Sequence, residues 1–322
     1  MKRSRTLRCL AAALLALMPL SVVQAQQASV IVTISVLKGP SGIGAAWMMS
    51  DTPAIPGAEL RFATAASADL VTAKLVSGEI QGGVLPLNVA AKLFNAGVPI
   101  KALAVVGDGM VKFLTNDQSI RRLADLRGRE INIAGQKATP DYLFRFLAGK
   151  AGLEPGKDYA PVYSLAYPEI AAQLAAGKLA CAVLPEPFAT QAMMLNKAIA
   201  SPIDLDKLWT EATGLPSYPM SLFVVSGKLA GSRPDIVLAL ASSYRASIEK
   251  TIADPAATAR LAESLDLGMK AAVAQAAIPK SNYVYRPAAE ARASIEATLS
   301  LFLSEDPQSV GGKLPGADFY GR

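Results

Sequence analysis

A stretch of this chain occurs twice. Residues 68–90 align without a gap to residues 167–189, at a constant offset of 99. Leu75 falls on Leu174, Gly78 on Gly177, Val84-Leu85-Pro86 on Val183-Leu184-Pro185, and Ala90 on Ala189. Val71 and Ile80 fall on Ile170 and Leu179. The unit reads as helix, glycine turn, buried strand, Leu-Pro corner, helix. A glycine suits the end of the first helix and a proline the start of the second. Chance likeness between two βα units is the competing account, but a match over a whole helix–strand–helix unit predicts two similar lobes.

The same rhythm runs through the rest of the chain. Residues 30–37, 60–63, 82–85 and 101–106 are strand-like, and 43–50, 68–77 and 86–96 helix-like. Later, 130–134 and 181–184 read as strands, and 140–151, 167–176 and 186–195 as helices. Strands alternating with helices of this length predict parallel sheets covered on both faces. The expected fold class is therefore α/β, with two doubly wound lobes. Residues 111–116 read as a strand leaving lobe I and 221–225 as the strand returning, so two crossover strands join the lobes. Residues 233–303 read as Ala- and Leu-rich helices, with 268–277 a short one. Pro234 and Pro255 suit helix starts, with Ser232 and Asp254 as N-caps. The expected division is a leader over 1–25, lobe I over 26–114, lobe II over 115–221, and a return to lobe I with C-terminal helices over 222–322.

The leader has its own chemistry. Lys2, Arg3, Arg5 and Arg8 precede an apolar run over residues 10–20, and Val23-Gln24-Ala25 puts small residues where a signal peptidase cuts. Cleavage is expected after Ala25; an uncleaved anchor helix is the alternative. Cys9 precedes the apolar run, and no lipid-attachment box leads into it, so no lipid anchor is expected. No later run reaches eighteen apolar residues, so no integral membrane segment is expected in the mature chain. Cleavage also removes four basic residues and no acidic ones. The formal charge of +6 for the whole chain becomes +2, from 28 basic and 26 acidic residues. No dense Lys/Arg cluster survives, which argues against a nucleic-acid partner.

Absent residue types exclude further chemistry. The chain has no histidine, which removes Ser-His-Asp and Cys-His catalysis and the usual zinc sites. Cys181 is the one cysteine left after cleavage, so no intramolecular disulfide forms; its apolar strand-like setting makes it a buried small hydrophobe. Carboxylates nowhere show metal-ligand spacing, so no metal is expected.

The first strand of each lobe feeds a polar corner that opens a helix, residues 38–44 in lobe I and 135–141 in lobe II. Helix N-termini at the carboxyl ends of strands are where open α/β sheets bind ligands. In Gly39-Pro40-Ser41-Gly42-Ile43-Gly44, the candidates are Ser41, Gly42 and Ile43, since glycines admit a ligand close to the backbone. This loop lacks both the Lys-Ser/Thr end of a phosphate loop and the G-x-G-x-x-G spacing, and a plain helix start accounts for it equally. Leu85-Pro86-Leu87-Asn88 contributes Leu87 and Asn88, whose amide is both donor and acceptor; an ordinary first-turn residue is the alternative. Thr139 fits an N-cap, Pro140 N1 and Asp141 N2; capping alone explains them, and Thr139 and Pro140 are also candidate contacts. Glu186, in Pro185-Glu186-Pro187, could meet an amine or a hydroxyl, or stabilise its own helix. Gly109, before the outgoing crossover, and Tyr218, before the returning one, are candidates for the cleft floor and wall. Tyr163, Tyr167 and Trp47 are either cleft walls or packing.

These motifs, with the leader, Leu184-Pro185-Glu186-Pro187-Phe188 and the ending Val310-Gly311-Gly312-Lys313-Leu314-Pro315, resemble the substrate-binding proteins of ABC importers. The nearest class takes nitrate, sulfonates, taurine or thiamine-pyrimidine precursors. The resemblance covers essentially the whole mature chain and is specific for the class but weak for the ligand. It implies a type II periplasmic binding fold, periplasmic location, a monomer, a small-molecule solute clamped between lobes, and an ABC permease in the inner membrane as partner. It carries ligand contacts onto Ser41, Gly42, Asn88, Thr139 and Glu186. Pyrimidine synthases on this fold use histidine chemistry, which this chain lacks. A corner arginine that would clamp a sulfonate bidentately is also missing, so a polar or anionic organic solute and a weakly polar heteroaromatic both remain open. An extracytoplasmic sensor or an enzyme on the same fold are the rival readings.

Overall fold

The computed structural model describes residues 29–133 and 135–321. The leader, its cleavage site and Cys9 lie outside the described residues, as does Ala134. In chain order the first part of lobe I is β1 (Val30–Leu37), α1 (Pro40–Ser50), β2 (Ala58–Ala65), α2 (Ala68–Ser77), β3 (Gly82–Pro86), α3 (Leu87–Asn95) and β4 (Ile100–Asp108). Lobe II follows as β5 (Val111–Thr115), β6 (Glu130–Ile133), α4 (Thr139–Lys150), β7 (Ala160–Val162), α5 (Tyr167–Ala175), β8 (Cys181–Pro185), α6 (Phe188–Leu195) and α7 (Leu205–Thr213). The chain returns through β9 (Pro219–Ser226) and ends in α8 (Gly227–Ser232), α9 (Pro234–Ala253), α10 (Pro255–Ser264), α11 (Ala271–Ala277), β10 (Arg286–Pro287) and α12 (Arg292–Glu305).

The strands form two sheets, ordered β10-β4-β9-β3-β1-β2 and β5-β8-β6-β7. The repeat seen in the sequence is structural. Ala68 and Tyr167 both open helices, Gly82 and Cys181 both open strands, and Pro86 and Pro185 both close them. The likeness extends further: β9-β3-β1-β2 and β5-β8-β6-β7 have the same order, each with one antiparallel strand against β3 or β8. The sheets are therefore mixed, where the alternation predicted parallel ones. The antiparallel strands β9 and β5 enter from the other lobe, so they run opposite to the βα units they join. Residues 111–115 pair with β8 inside the second sheet, so the chain changes sheets between Asp108 and Val111.

Helices cover both faces of each sheet. In β1 the β-branched alternation puts Val32, Ile34 and Val36 into one core with Ile43, Tyr244 and Ile248. On the opposite face Val71, Leu85, Leu299 and Phe302 form a second core. Lobe II repeats this with Phe113, Phe144 and Trp209 on one face and Leu114, Ile170 and Leu184 on the other. Helix ends follow local chemistry. Gly78 ends α2 in the left-handed conformation, and Asp254 caps α10 through Ala257 N–H at 2.9 Å, as expected. Ser232 does not cap α9: Arg233 holds that position, and the Ser232 hydroxyl donates back to Lys228 O. Among the described residues, no helix is long and apolar enough to cross a membrane.

Close approach of β3 to β1 gives a test. A Cβ on Gly83 would lie 2.7 Å from Ser35 O and 3.0 Å from Val71 Cγ1. Gly83→Ala should cost about 1–3 kcal/mol through overpacking, read as a lower denaturant midpoint with an unchanged slope.

Candidate functional site

The corners at the carboxyl ends of β1, β3, β6 and β8 each lead into a helix, and those after β3 and β6 meet between the sheets at Asn88 and Lys137. In the first, the helix begins earlier than expected: Gly39 is the N-cap, and Pro40, Ser41 and Gly42 form the first turn. Gly42 has no room for a side chain, since a Cβ would stand 2.8 Å from Leu37 O. Ser41 Oγ donates to Leu37 O at 3.2 Å. Ile43 is not at the gap but in the lobe I core, 1% exposed. Leu87 is likewise enclosed in the second core. Asn88 reaches across: its Nδ2 stands 3.5 Å from Lys137 O of lobe II.

In lobe II the cap shifts by one residue. Ala138 is the N-cap of α4, Thr139 is N1 and Pro140 N2, so Thr139 does not cap. Asp141 takes over the local bonding. Its buried carboxylate accepts from Lys137 N–H at 2.8 Å and from Tyr163 OH at 2.7 Å. Tyr163 is thus tied to this corner, and burial with the hydrogen bond to Asp141 pushes its phenol up. Thr139 and Pro140 are both buried there. The N-cap residues of α1, α3 and α4 are Gly39, Pro86 and Ala138, and no side chain caps these starts among the described residues. By contrast Asp204, Ser226 and Asp254 each cap their own helices, α7, α8 and α10.

Glu186 sits at the end of β8 with no exposed surface. One carboxylate oxygen, Oε2, accepts from Thr190 N–H at 3.0 Å, so it stabilises its own helix as one reading foresaw. The other, Oε1, has no partner. Burial pushes this carboxyl up, partly offset by the Thr190 hydrogen bonds and by Lys280 and Lys112. Glu186 also lines a cavity of about 440 Å³ between the lobes, with Lys112, Met193 and Asp206 of lobe II and Lys280 and Asn282 of lobe I. Tyr167 packs on Phe188 with ring centroids 5.5 Å apart, and burial pushes its phenol up to about 12. Trp47 is turned away, donating Nε1–H to Thr258 Oγ1 at 2.8 Å, under Lys250.

Gly109 and Tyr218 form the joint between the lobes. Gly109 N–H donates to Tyr218 O at 3.1 Å, and Gly109 O accepts from Asn282 Nδ2 at 2.5 Å. Tyr218 is fully buried; its OH donates to Asp206 Oδ1 at 2.9 Å and accepts from Val111 N–H at 3.3 Å. Lys112 completes the chain at 2.7 Å from Asp206 Oδ2. Asp108, one residue away, pairs with Arg286 at 2.6 Å, and burial raises its carboxyl despite that cation. Sequence reasoning passed over Asn282, Asp206 and Lys137, and gave Asp141 only a place in the first turn of its helix. Only Lys137 and Asp141 lay in a corner already marked; the others act through contacts that no local pattern carries.

The profile of the NMT1-like family matches residues 41–265. The chain belongs to the NMT1-like family. Among solved structures, an ABC transporter protein from Parabacteroides distasonis is 27% identical, with TM-score 0.80 over 91% of this chain and 99% of that one. The periplasmic aliphatic sulphonate-binding protein SsuA from Escherichia coli shares the fold at 19% identity, TM-score 0.73, over 91% and 92%. The periplasmic nitrate-binding protein NrtA from Synechocystis PCC 6803 is more distant, at 13% identity, TM-score 0.55, over 72% and 65%. Comparison with curated protein sequences gave no match. This NMT1-like chain thus has the architecture of ABC-transporter periplasmic binding proteins, with two α/β lobes joined by two crossovers.

Two tests follow from the joint and from Glu186. Tyr218→Phe leaves the Val111 N–H buried without its acceptor and should cost about 1–3 kcal/mol, measured by urea denaturation. Glu186 has a folded-state pKa above its unfolded value, so its contribution to stability is full below the unfolded pKa and is lost as pH rises through the folded one. Glu186→Gln should therefore gain thermal stability relative to wild type as pH goes from about 4 to 8. A gap that stays constant over that range would remove Glu186 as the cause.

Proposed function

We propose that this NMT1-like chain is the solute-binding component of an ABC importer. It is exported to the periplasm by its leader, clamps a small polar or anionic organic solute between its lobes, and delivers it to a permease in the inner membrane. It carries out no reaction and needs no cofactor. Lobe I comprises the residues before Gly109 and after Tyr218, and lobe II those between; the two close about that joint.

The observation that carries this reading is the set of uncapped helix starts. First-turn N–H groups of α1, α3 and α4, with their positive dipole ends, have no side-chain acceptors of their own, and the α3 and α4 starts meet between the lobes through Asn88 and Lys137. They suit an anionic or carbonyl-bearing group. Glu186 Oε1, buried and unpartnered, suits a donor on the same solute. Ser41, Gly42, Asn88, Thr139 and Glu186 are the proposed contacts, with Pro140 and Gly109 shaping the backbone around them. Ile43, Leu87 and Tyr218 support these contacts from the cores.

The reading is tested by a thermal-shift screen of mature protein that has been unfolded and refolded to strip carried-over ligand. The panel holds sulfonates, nitrate, dicarboxylates, amino-pyrimidines, flavins and purines. A ligand at about a hundred times its Kd should add about 2.7 kcal/mol, a shift of several degrees. Asn88→Ala and Glu186→Gln should each weaken the hit by about tenfold or more, as lost hydrogen bonds to a buried ligand do. A hit indifferent to both substitutions would place the solute elsewhere.

A further inference from the structure

Helix α4 of lobe II meets the end of α12 of lobe I across the gap, and the contact is built from opposite charges. Lys137 Nζ stands 2.9 Å from Asp306 Oδ2, and Arg145 Nη2 stands 2.8 Å from Glu305 Oε2. Between them Tyr142 OH donates to Asp306 Oδ2 at 3.3 Å, and its ring packs 4.9 Å from that of Phe302, inside the lobe I core. The Lys137 backbone is held at φ 64, a left-handed conformation costly for a side chain with a Cβ. Asp141 holds its N–H, and its C=O faces Asn88. One strained residue thus connects a proposed solute contact to an acid on the other lobe.

We infer that this α4–α12 contact is the closure clasp of the protein, and that Lys137 and Arg145, by pairing with Asp306 and Glu305, set the closed fraction of the solute-free molecule. The inference rests on the inter-lobe gap being the solute site. Each pair is part-exposed and weak alone. The clasp matters because it acts on an equilibrium. A solute binds the closed form, so apparent affinity scales with the closed fraction before binding. Salt screens exposed pairs, so added salt weakens solute binding even when the solute carries no charge. Asp306 also serves lobe I alone, accepting from Gln308 N–H at 3.1 Å, so the clean substitutions lie on the lobe II side.

The test compares wild type with the double variant Lys137→Gln/Arg145→Gln, using the whole mature chain without solute. Small-angle scattering is recorded at about 20 mM and about 500 mM NaCl. Wild type should expand at high salt, and the double variant should be expanded at both. Glu305→Gln, which leaves the Asp306 cap intact, should give an intermediate profile. With a solute from the screen, Kd should rise about fivefold in the double variant at low salt and match wild type at high salt. Identical scattering for wild type and variant at both salts overturns the clasp. So does a Kd change without a scattering change, because Lys137 would then act only through Asn88. The scattering needs no solute, so a flat screen tells against the receptor reading and leaves the clasp to be judged separately.

Discussion

The arrangement of the two lobes depends on how one glycine is held. Gly109 lies where the chain leaves lobe I, at φ 34, and a Cβ there would stand 2.6 Å from Ser217 Oγ. Its N–H is taken by Tyr218 on the returning crossover and its carbonyl by Asn282, while Asp108 N–H donates to Asn282 O at 3.2 Å. Three segments distant in sequence therefore converge on one peptide. Tyr218, Asp206 and Lys112 extend the bonding into lobe II, and the Asp108–Arg286 pair extends it into lobe I. The proposed closure turns the lobes about this joint, bonded on both sides, with few backbone angles absorbing the motion.

Buried carboxylates mark the places where this fold accepts an electrostatic cost. Asp141 is fully buried, with hydrogen bonds from Lys137 N–H and Tyr163 OH. Asp108 has its arginine, yet one oxygen is left over. Glu186 has a single internal donor and an open oxygen. A buried acceptor without a partner costs stability. In the proposed solute-binding role a ligand relieves that cost, and Glu186 lies where the two lobes and their cavity meet. The proposed closure clasp at α4 and α12 is of another kind, two part-exposed ion pairs flanking the buried contact of Tyr142 with Phe302.

Much of the proposed site was legible as backbone and little of it as side chains. The Gly39–Gly44 loop, the Leu85–Asn88 corner and the Thr139–Asp141 turn each stand at the start of a helix because glycine and proline constrain φ locally, whatever the rest of the fold does. Side-chain direction was not local. Ile43 and Leu87, next to contact candidates, turn into the cores because the helix period carries them there. Tyr218 looked like a cleft wall and is a hydrogen-bonded post between the lobes. Tyr142 and Asp306 bond although 164 residues separate them, and no windowed pattern registers such a pair.

By itself, the order of amino acids determined the βα rhythm, the repeat at an offset of 99, the two lobes and the absence of histidine chemistry. All of these depend on short-range periodicity, turn residues or composition, which neighbours along the chain enforce. The tertiary structure decided the antiparallel sense of β5 and β9, the convergence on Gly109, the open oxygen of Glu186 and the charged contact between α4 and α12. Each of these depends on which distant segments share a surface. That is settled by the packing of whole helices and sheets against one another, where burial acts on the assembled face and not on any single stretch of chain.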